Sequence, residues 1–552
     1  VNVVDRPSLA VKTRNALLVA AMACAAMLFF YRFQIATGFT HAFGDRYDAM
    51  IEVAILQHWA NVFAGHEAWG ATQYFYPAAR TLGYNDGYLV SGMIFSFARA
   101  CGASPIAAAE FTHAAYKLAG FFGMYLLLGR RGGCGIRWAL FGATLFTIAD
   151  LTQQHANHGQ LFTIAFAPFL VLLGWNAIEA LRAGALARLW WQGAAFVLLF
   201  AAWFSTAFYL AWFFGLFCLI LSVVAVIGMG GDQRRILRAA VTRGWRAVLA
   251  IVLIGGLAMV PFAAIYLVKA GETGMHAYDV VRRGTLTPIE LIYPGPANIV
   301  WEPFFALIRK MLIPNLPLNP DDVFAMTPIV FGIAIAAILA ARRGRLPQSL
   351  WWIGLSIVIA WVLMLRLWPE SLWRIVYAIV PGAGAIRVVG RFQILLLVPV
   401  IFIVTIWLSR WPRRRLAILL AGLALVEQTS ATGRVDLDRR EQQVMLAAVP
   451  KPPADCQSFY VRASRLHVPP GSSGVGNDLI YAHNVDAMVL SEMLMLPTVN
   501  GFSTFNPPFW DFADPNGADY DRRALAYAMR FGLRGLCRLD VRGDPAWQRI
   551  LP

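Results

Sequence analysis

The chain has 552 residues, of which 59% are hydrophobic and only 14% charged. A soluble protein of that length carries about a quarter charged residues, so the composition excludes an ordinary soluble enzyme and leaves a polytopic membrane protein. The net charge of +16 does not indicate nucleic acid, because basic residues such as Arg130, Arg131 and Arg137, or Arg410, Arg413, Arg414 and Arg415, gather in short connections between apolar segments, as the positive-inside bias produces.

In chain order, a basic N-terminus (Arg6, Lys12, Arg14) reads as cytoplasmic and precedes the first apolar segment, 16–38. That segment is free of charge except for Arg32 and long enough to cross a bilayer. It is too long for a cleavable leader and lacks a small-residue cleavage site. It delivers Gly44-Asp45-Arg46-Tyr47-Asp48 to the outer face. Further spans are expected at 105–128, 138–149, 161–180, 189–204, 206–227, 248–268, 323–340, 350–365, 392–408 and 416–427. Segment 88–99 is apolar but short, and reads as re-entrant or interfacial unless a second missed span restores the parity. The expected architecture is an all-α transmembrane bundle of about 11–13 spans, occupying 1–428, with a small C-terminal α/β domain at 429–552 outside the cytoplasm.

The polar connections are unequal. Inner ones are short and basic; outer ones are long, at 39–87, 270–322 and 429–552, with shorter outer segments at 150–160 and 367–391. Long loops on one face are more often functional than connective. Within the first outer loop, 50–64 has the amphipathic period of a helix lying flat at the interface. In span 105–128, Glu110, His113 and Lys117 share one helical face. Ionisable residues inside a span default to function, with a buried structural pair as the other reading.

Segment 150–160 (Asp150-Leu151-Thr152-Gln153-Gln154-His155-Ala156-Asn157-His158-Gly159-Gln160) is dense in polar groups between two spans. It suits contact with a sugar or phosphate, or a solvated turn. His155 and His158 could help hold a metal, although two histidines without a placed third ligand are a weak signal. Lys269 ends one span on the outer side, and Arg387 and Arg391 flank Val388-Val389-Gly390 where another begins. Arginine suits phosphate because its fork donates two parallel bonds; the alternative for all three cations is an interfacial anchor. The tail has turn-rich stretches (Pro469 to Gly474, then Asn506-Pro507-Pro508), and Cys456 and Cys537 are its only cysteines. Outside the cytoplasm they favour a disulfide. The remaining four cysteines lack metal-ligand spacing.

Such a layout suits a transferase at a membrane face, with a carboxylate to accept a hydroxyl proton and cations where phosphate charge grows. One span, then a large outer loop opening on an acid, then many spans and a terminal outer domain resembles the GT-C class of integral-membrane glycosyltransferases. Asp45 stands where that class has its first-loop catalytic base, and Asp48 would position the acceptor or support the base. Tyr76-Pro77-Ala78-Ala79-Arg80-Thr81-Leu82-Gly83-Tyr84-Asn85-Asp86 resembles the first-loop end of bacterial GT-C-like proteins, and His158-Gly159-Gln160 a motif before a span. Pro497-Thr498-Val499-Asn500-Gly501-Phe502-Ser503 resembles the tail of the same group. The chain departs from the oligosaccharyltransferase branch in lacking a WWDYG-type motif, and from protein O-mannosyltransferases in having Asp45-Arg46 for Asp-Glu.

The resemblance implies an inverting transferase moving a sugar from a polyprenyl-phosphate carrier to a glycan or lipid acceptor, in a multi-pass protein of the bacterial inner membrane. Asp45 and Asp48 are the expected catalytic residues. Arg387, Arg391, His155, His158, Gln160, Lys269 and Asp86 are the expected substrate contacts. Membrane lipid is an expected partner and nucleic acid is not. No cofactor is required by the sequence, and a divalent metal stays open. The competing reading is a transporter or flippase for a lipid-linked glycan, coupled through Glu110, His113 and Lys117.

Overall fold

The computed structural model describes residues 9–367, 369–465, 475–542, 544 and 546–551. Arg6 and the turn expected at Pro469 to Gly474 lie outside the described residues. The chain is mostly helical. Helix α1 (Leu9–Phe30) leads to α2 (Asp48–Phe63), α3 (Leu89–Ala100), α4 (Pro105–Arg130), α5 (Ile136–Thr147), α6 (Phe166–Arg182), α7 (Leu186–Phe204), α8 (Phe208–Gly228) and α9 (Gly231–Thr273). Then follow α10 (Glu302–Met311), α11 (Pro328–Arg342), α12 (Gln348–Met364), α13 (Trp373–Ile379), α14 (Phe392–Arg410) and α15 (Arg414–Val426). Six helical segments among the described residues, those containing α1, α6, α7, α8, α9 and α14, are long and apolar enough to cross a bilayer. The other expected spans are also helical (α4, α5, α11, α12 and α15) but shorter or more polar.

Basic connections meet at the far end of α14, where Arg410 bonds the Gly132 carbonyl at 3.3 Å and Arg131 pairs with Glu179, while the first outer loop and segment 150–160 meet the start of that helix. Helix α14 is the central strut, buried along most of its length, where its Gln393 accepts from the Trp361 indole at 3.0 Å. Arg391 is the residue that caps its start. Helix α9 lies at the periphery with most of its surface exposed, and at 43 residues it is about 65 Å long, well beyond a bilayer's thickness.

Two expectations for the first outer loop meet the structure differently. Helix α3 remains at the loop end: Tyr88 ahead of it bonds Gln160 at 2.9 Å, and Glu110, one turn into α4, takes the Phe43 N–H at 2.7 Å. At 12 residues α3 is too short to cross a bilayer upright. The stretch expected to lie flat on lipid is α2, but α2 is buried on almost every side, from Ala49 to Asn61, because α3 covers one face and the tail helix α17 (Val475–Leu494) another.

The tail carries a three-stranded sheet, β1 (Ser458–Val461), β2 (Leu536–Asp540) and β3 (Ala546–Arg549), in the order β1-β2-β3. Strand β1 is parallel to β2, and β3 is antiparallel to it. Helices α16 (Arg439–Ala448), α17 and α18 (Tyr520–Phe531) flank it. A disulfide joins Cys456 and Cys537. The tail is bound to the first loop by a short ladder, His41–Ala42 against Leu437–Asp438.

Candidate active site

The first loop turns into α2 at Gly44, whose φ of +83° lies where glycine alone is unstrained. A side chain there would also meet Ala49 at 2.6 Å. Asp45 follows, and its Oδ1 accepts the Tyr47 and Asp48 N–H groups at 2.8 and 3.0 Å. It thus satisfies open donors at the helix start. Burial and then the neighbouring Asp48 charge raise its carboxyl above the ordinary value. Asp48, the first helical residue, instead faces a cavity.

That cavity, about 290 Å³, is lined by Asp48, Asp86, His158, Gln160, Arg387 and Arg391, with a wall of Phe208, Tyr209, Tyr266, Tyr481 and Phe505. Six of the nine acid, histidine, glutamine and cation positions singled out from the sequence converge here, from four separate segments of the chain. Asp45, His155 and Lys269 do not line it. Lys269 is buried and donates to the Tyr84 hydroxyl at 2.9 Å and to Glu272 at 2.8 Å, so it braces a wall residue. The Cys456–Cys537 disulfide belongs to the tail sheet.

Across the cavity stand the two arginines. Among the described residues neither guanidinium forms an ion pair. Arg387 is exposed, its backbone N–H held by the Tyr209 hydroxyl at 2.9 Å. Arg391 lies over the Tyr209 ring at 5.5 Å, and its buried Nε has no partner. Cations without an ion-pair partner that share a cavity with acids form a place for an anion on one side and a proton donor on the other.

On the acid side, Asp48 Oδ2 lies 3.3 Å from His158 Nδ1. Burial pushes the Asp48 carboxyl up, but the His158 hydrogen bond and charge, with Arg391 and Arg387 beyond, outweigh it and hold the group below the ordinary value. Asp86 is the opposite case. Burial raises it, offset only in part by the Phe208 N–H, which it accepts at 3.0 Å, and by Arg391. His158 also faces Asp321, at 4.0 Å, and Asp321 is gripped by Arg434 through two bonds of 2.9 Å and by Asn157 at 3.0 Å. Gly159 is forced by space, since a Cβ there would lie 1.9 Å from a Glu52 carboxylate oxygen. Arg434 and Asp321 went unnoticed in the sequence. The pair Asp321-Asp322, acidic immediately before a span, was a signal for one of them; a lone arginine in the tail linker offered none.

Among the described residues, two groups have the donor sets of a metal site. Ligand atoms of His155, His158 and Asp321 lie within 4.8 Å of one another. The Nε2–H of His155 donates to the Val323 carbonyl at 2.7 Å, and its buried Nδ1 has no partner. Burial holds this ring well below its ordinary value, hence neutral. A fixed tautomer with a bare lone pair, beside a second imidazole and a carboxylate, fits a borderline divalent cation. In the other group, His58, Glu67 and Glu492, both His58 nitrogens are engaged, with Glu67 at 2.5 Å and the Trp69 carbonyl at 3.0 Å. Burial and then Glu67 raise the Glu492 carboxyl. That group is a hydrogen-bonded bracket between loop and tail.

Each member of the in-span trio has a partner, although the buried His113 Nδ1 has none. Glu110 takes the Phe43 N–H and Arg439, His113 meets Glu52 at 2.9 Å, and Lys117 donates to the Thr147 carbonyl and Thr152.

Solved structures share this architecture. The arabinofuranosyltransferase AftD from Mycobacteria superposes with a TM-score of 0.50 and 14% identity, over 89% of this chain and 32% of that one. The Archaeoglobus fulgidus oligosaccharyltransferase in its apo form gives a TM-score of 0.50 and 13% identity, over 94% of this chain and 69% of that one. The chain spans about a third of the length of the first. At these identities the likeness is one of fold: the chain is a multi-pass membrane protein with the GT-C fold. No protein-family model matches it, and no curated protein matches it in sequence.

Proposed function

We propose that this cavity is the active site of an inverting glycosyltransferase that moves a sugar from a polyprenyl-phosphate carrier to a glycan or lipid acceptor, on the outer face of the bacterial inner membrane. The observation that carries the reading is the facing pair, an ionised Asp48 on one side and the unpaired Arg387 and Arg391 on the other.

The roles expected of the two aspartates are exchanged. Asp48 is the general base, and Asp45 sets the first turn of α2 that aims it. The acceptor O–H breaks with its proton passing to Asp48 Oδ, while the acceptor oxygen bonds the anomeric carbon. The bond from that carbon to the phosphate oxygen breaks with its electron pair, so the leaving polyprenyl phosphate gains one negative charge. Arg387 and Arg391 stabilise that charge where it grows. A single in-line displacement inverts the anomeric centre. His158, held between Asp48 and Asp321, fixes the orientation of the base. A divalent ion held by His155, His158 and Asp321 would supply Lewis-acid chemistry on the acid side of the cavity.

The test uses the full chain in proteoliposomes with a panel of polyprenyl-phosphate sugars, scored by acceptor-dependent release of polyprenyl phosphate. Asp48→Asn is expected to lower release about 10²–10⁴-fold with unfolding temperature unchanged. Undiminished release in that variant removes Asp48 from the chemistry. Movement of intact lipid-linked glycan between leaflets, unaffected by Asp48→Asn, would support the transporter instead.

A further inference from the structure

Helix α10 lies in the loop between α9 and α11 and has two unlike faces. One is packed: Phe305 is buried with Tyr293, Leu316 and Val323, Arg309 donates to the Tyr293 hydroxyl at 2.8 Å, and Arg309 pairs with Glu302 at 2.5 Å. The other is apolar and open. Val300 just ahead of the helix, then Phe304, Leu307 and Met311, recur at helical spacing, and all are exposed, as are Ile299 and Leu312. Leu307 is 55% and Leu312 76% exposed. Monomeric proteins in water rarely leave such a patch uncovered.

Its position says what covers it. The Trp301 indole N–H donates to Glu427 Oε2 at 2.9 Å, and the Ile299 N–H to the Thr429 carbonyl at 3.0 Å. Glu427 follows directly on α15 and also takes the Ile329 and Val330 N–H groups at the first turn of α11. The start of α10 is therefore pinned at the level where two bundle helices end on the site side. Helix α15 presents Ile418, Leu419, Leu423 and Val426 outward, a stripe running up to that same point. The open face of α10 continues the apolar belt of the bundle, with Lys310 exposed beside it at headgroup height.

We propose that α10 is an interfacial helix seated in the leaflet on the site side, its Phe304, Leu307 and Met311 face immersed among acyl chains and Lys310 among anionic headgroups. This is the role the sequence assigned to α2, which the tail has covered. The consequence reaches the site without depending on what the site catalyses. The packed face of α10 rests on Val323, whose carbonyl fixes His155, and ten residues beyond Met311 stands Asp321, the partner of Arg434. A lipid-seated helix thus anchors both.

The experiment is aqueous labelling of the full chain, one copy per nanodisc, in phosphatidylethanolamine and phosphatidylglycerol. Cys24, Cys101, Cys134 and Cys218 are replaced by Ala, the Cys456–Cys537 disulfide is kept, and Leu307→Cys, Met311→Cys or Leu312→Cys is introduced singly. Val444→Cys, on an exposed face of the tail, is the reference. A membrane-impermeant maleimide is expected to react at the three α10 positions about tenfold or more slowly than at 444, the factor that burial of one leucine side chain implies. Should the Cys134→Ala background unfold, oxygen against nickel-chelate relaxation of a spin label at the same sites, with Cys134 and Cys218 left in the protein core, gives the same readout. Reaction at the reference rate overturns the proposal, and would leave the face to a partner protein absent from the disc.

Discussion

Two groups of ionisable residues in this molecule look alike in the sequence and differ entirely in the structure. In α4, Glu110, His113 and Lys117 each find a neighbour: a backbone N–H and Arg439, Glu52, or a carbonyl and Thr152. In the cavity, Asp48 has only His158, and Arg387 and Arg391 have no ion-pair partner among the described residues. Buried charges with partners hold helices together; charges left facing a hollow await something brought from outside. The difference separates architecture from chemistry more sharply than position in a span does.

After the loss expected with Asp48→Asn, the largest effect of breaking that contrast is on the cation side. Replacing both Arg387 and Arg391 by Ala should lower transfer about 10²–10³-fold, the scale of losing donors aimed at developing charge, with unfolding temperature unmoved. A double variant that unfolds earlier but turns over normally would place these arginines with the α4 group. The converse is Glu110→Gln, which leaves Arg439 without its carboxylate. About 3 kcal/mol of stability should go, as when one partner of a buried pair is removed, with turnover retained in the folded fraction. Thermal unfolding in detergent measures it.

Asp45→Ala comes next. It removes an oxygen that caps α2 and should cost about 1 kcal/mol, read by denaturation, with a partial loss of transfer through misaimed Asp48. The smallest effect is on pH dependence. Because the Asp48 carboxyl lies below the ordinary value, its contact with His158 contributes fully above about pH 4 and is lost as pH falls through the folded value. The acid limb of the transfer rate should therefore lie below about pH 4. A base at Asp45, whose carboxyl is raised, would put that limb higher.

Much of the layout was legible. Apolar runs and basic connections specified the bundle helices and the end on which long loops gather, because bilayer thickness and charge bias act on sequence directly. The convergence of His158, Arg387 and Arg391 was foreseen, since each lies where a span meets a loop on one face, but with Asp45 as their acid, and Asp48 lines the cavity in its place. What could not be read was which acid of Asp45-Arg46-Tyr47-Asp48 faces the cavity. That is decided by the rotation of α2, and the rotation by burial against α3 and α17, hundreds of residues apart in the chain. The same covering removed α2 from the lipid surface. Lys269, an apparent free cation, was claimed by Glu272 and Tyr84, and Arg434 joined the site only through the ladder that folds the tail linker onto the first loop.

Everything turns on whether the hollow beside α2 takes the acceptor's proton on Asp48. Asp48→Asn and Asp45→Asn, purified side by side and matched for folded fraction, should be assayed for acceptor-dependent release of polyprenyl phosphate. Near-complete loss with Asp48→Asn and measurable turnover with Asp45→Asn are expected; the reverse order, or equal activity in both, contradicts a base at Asp48.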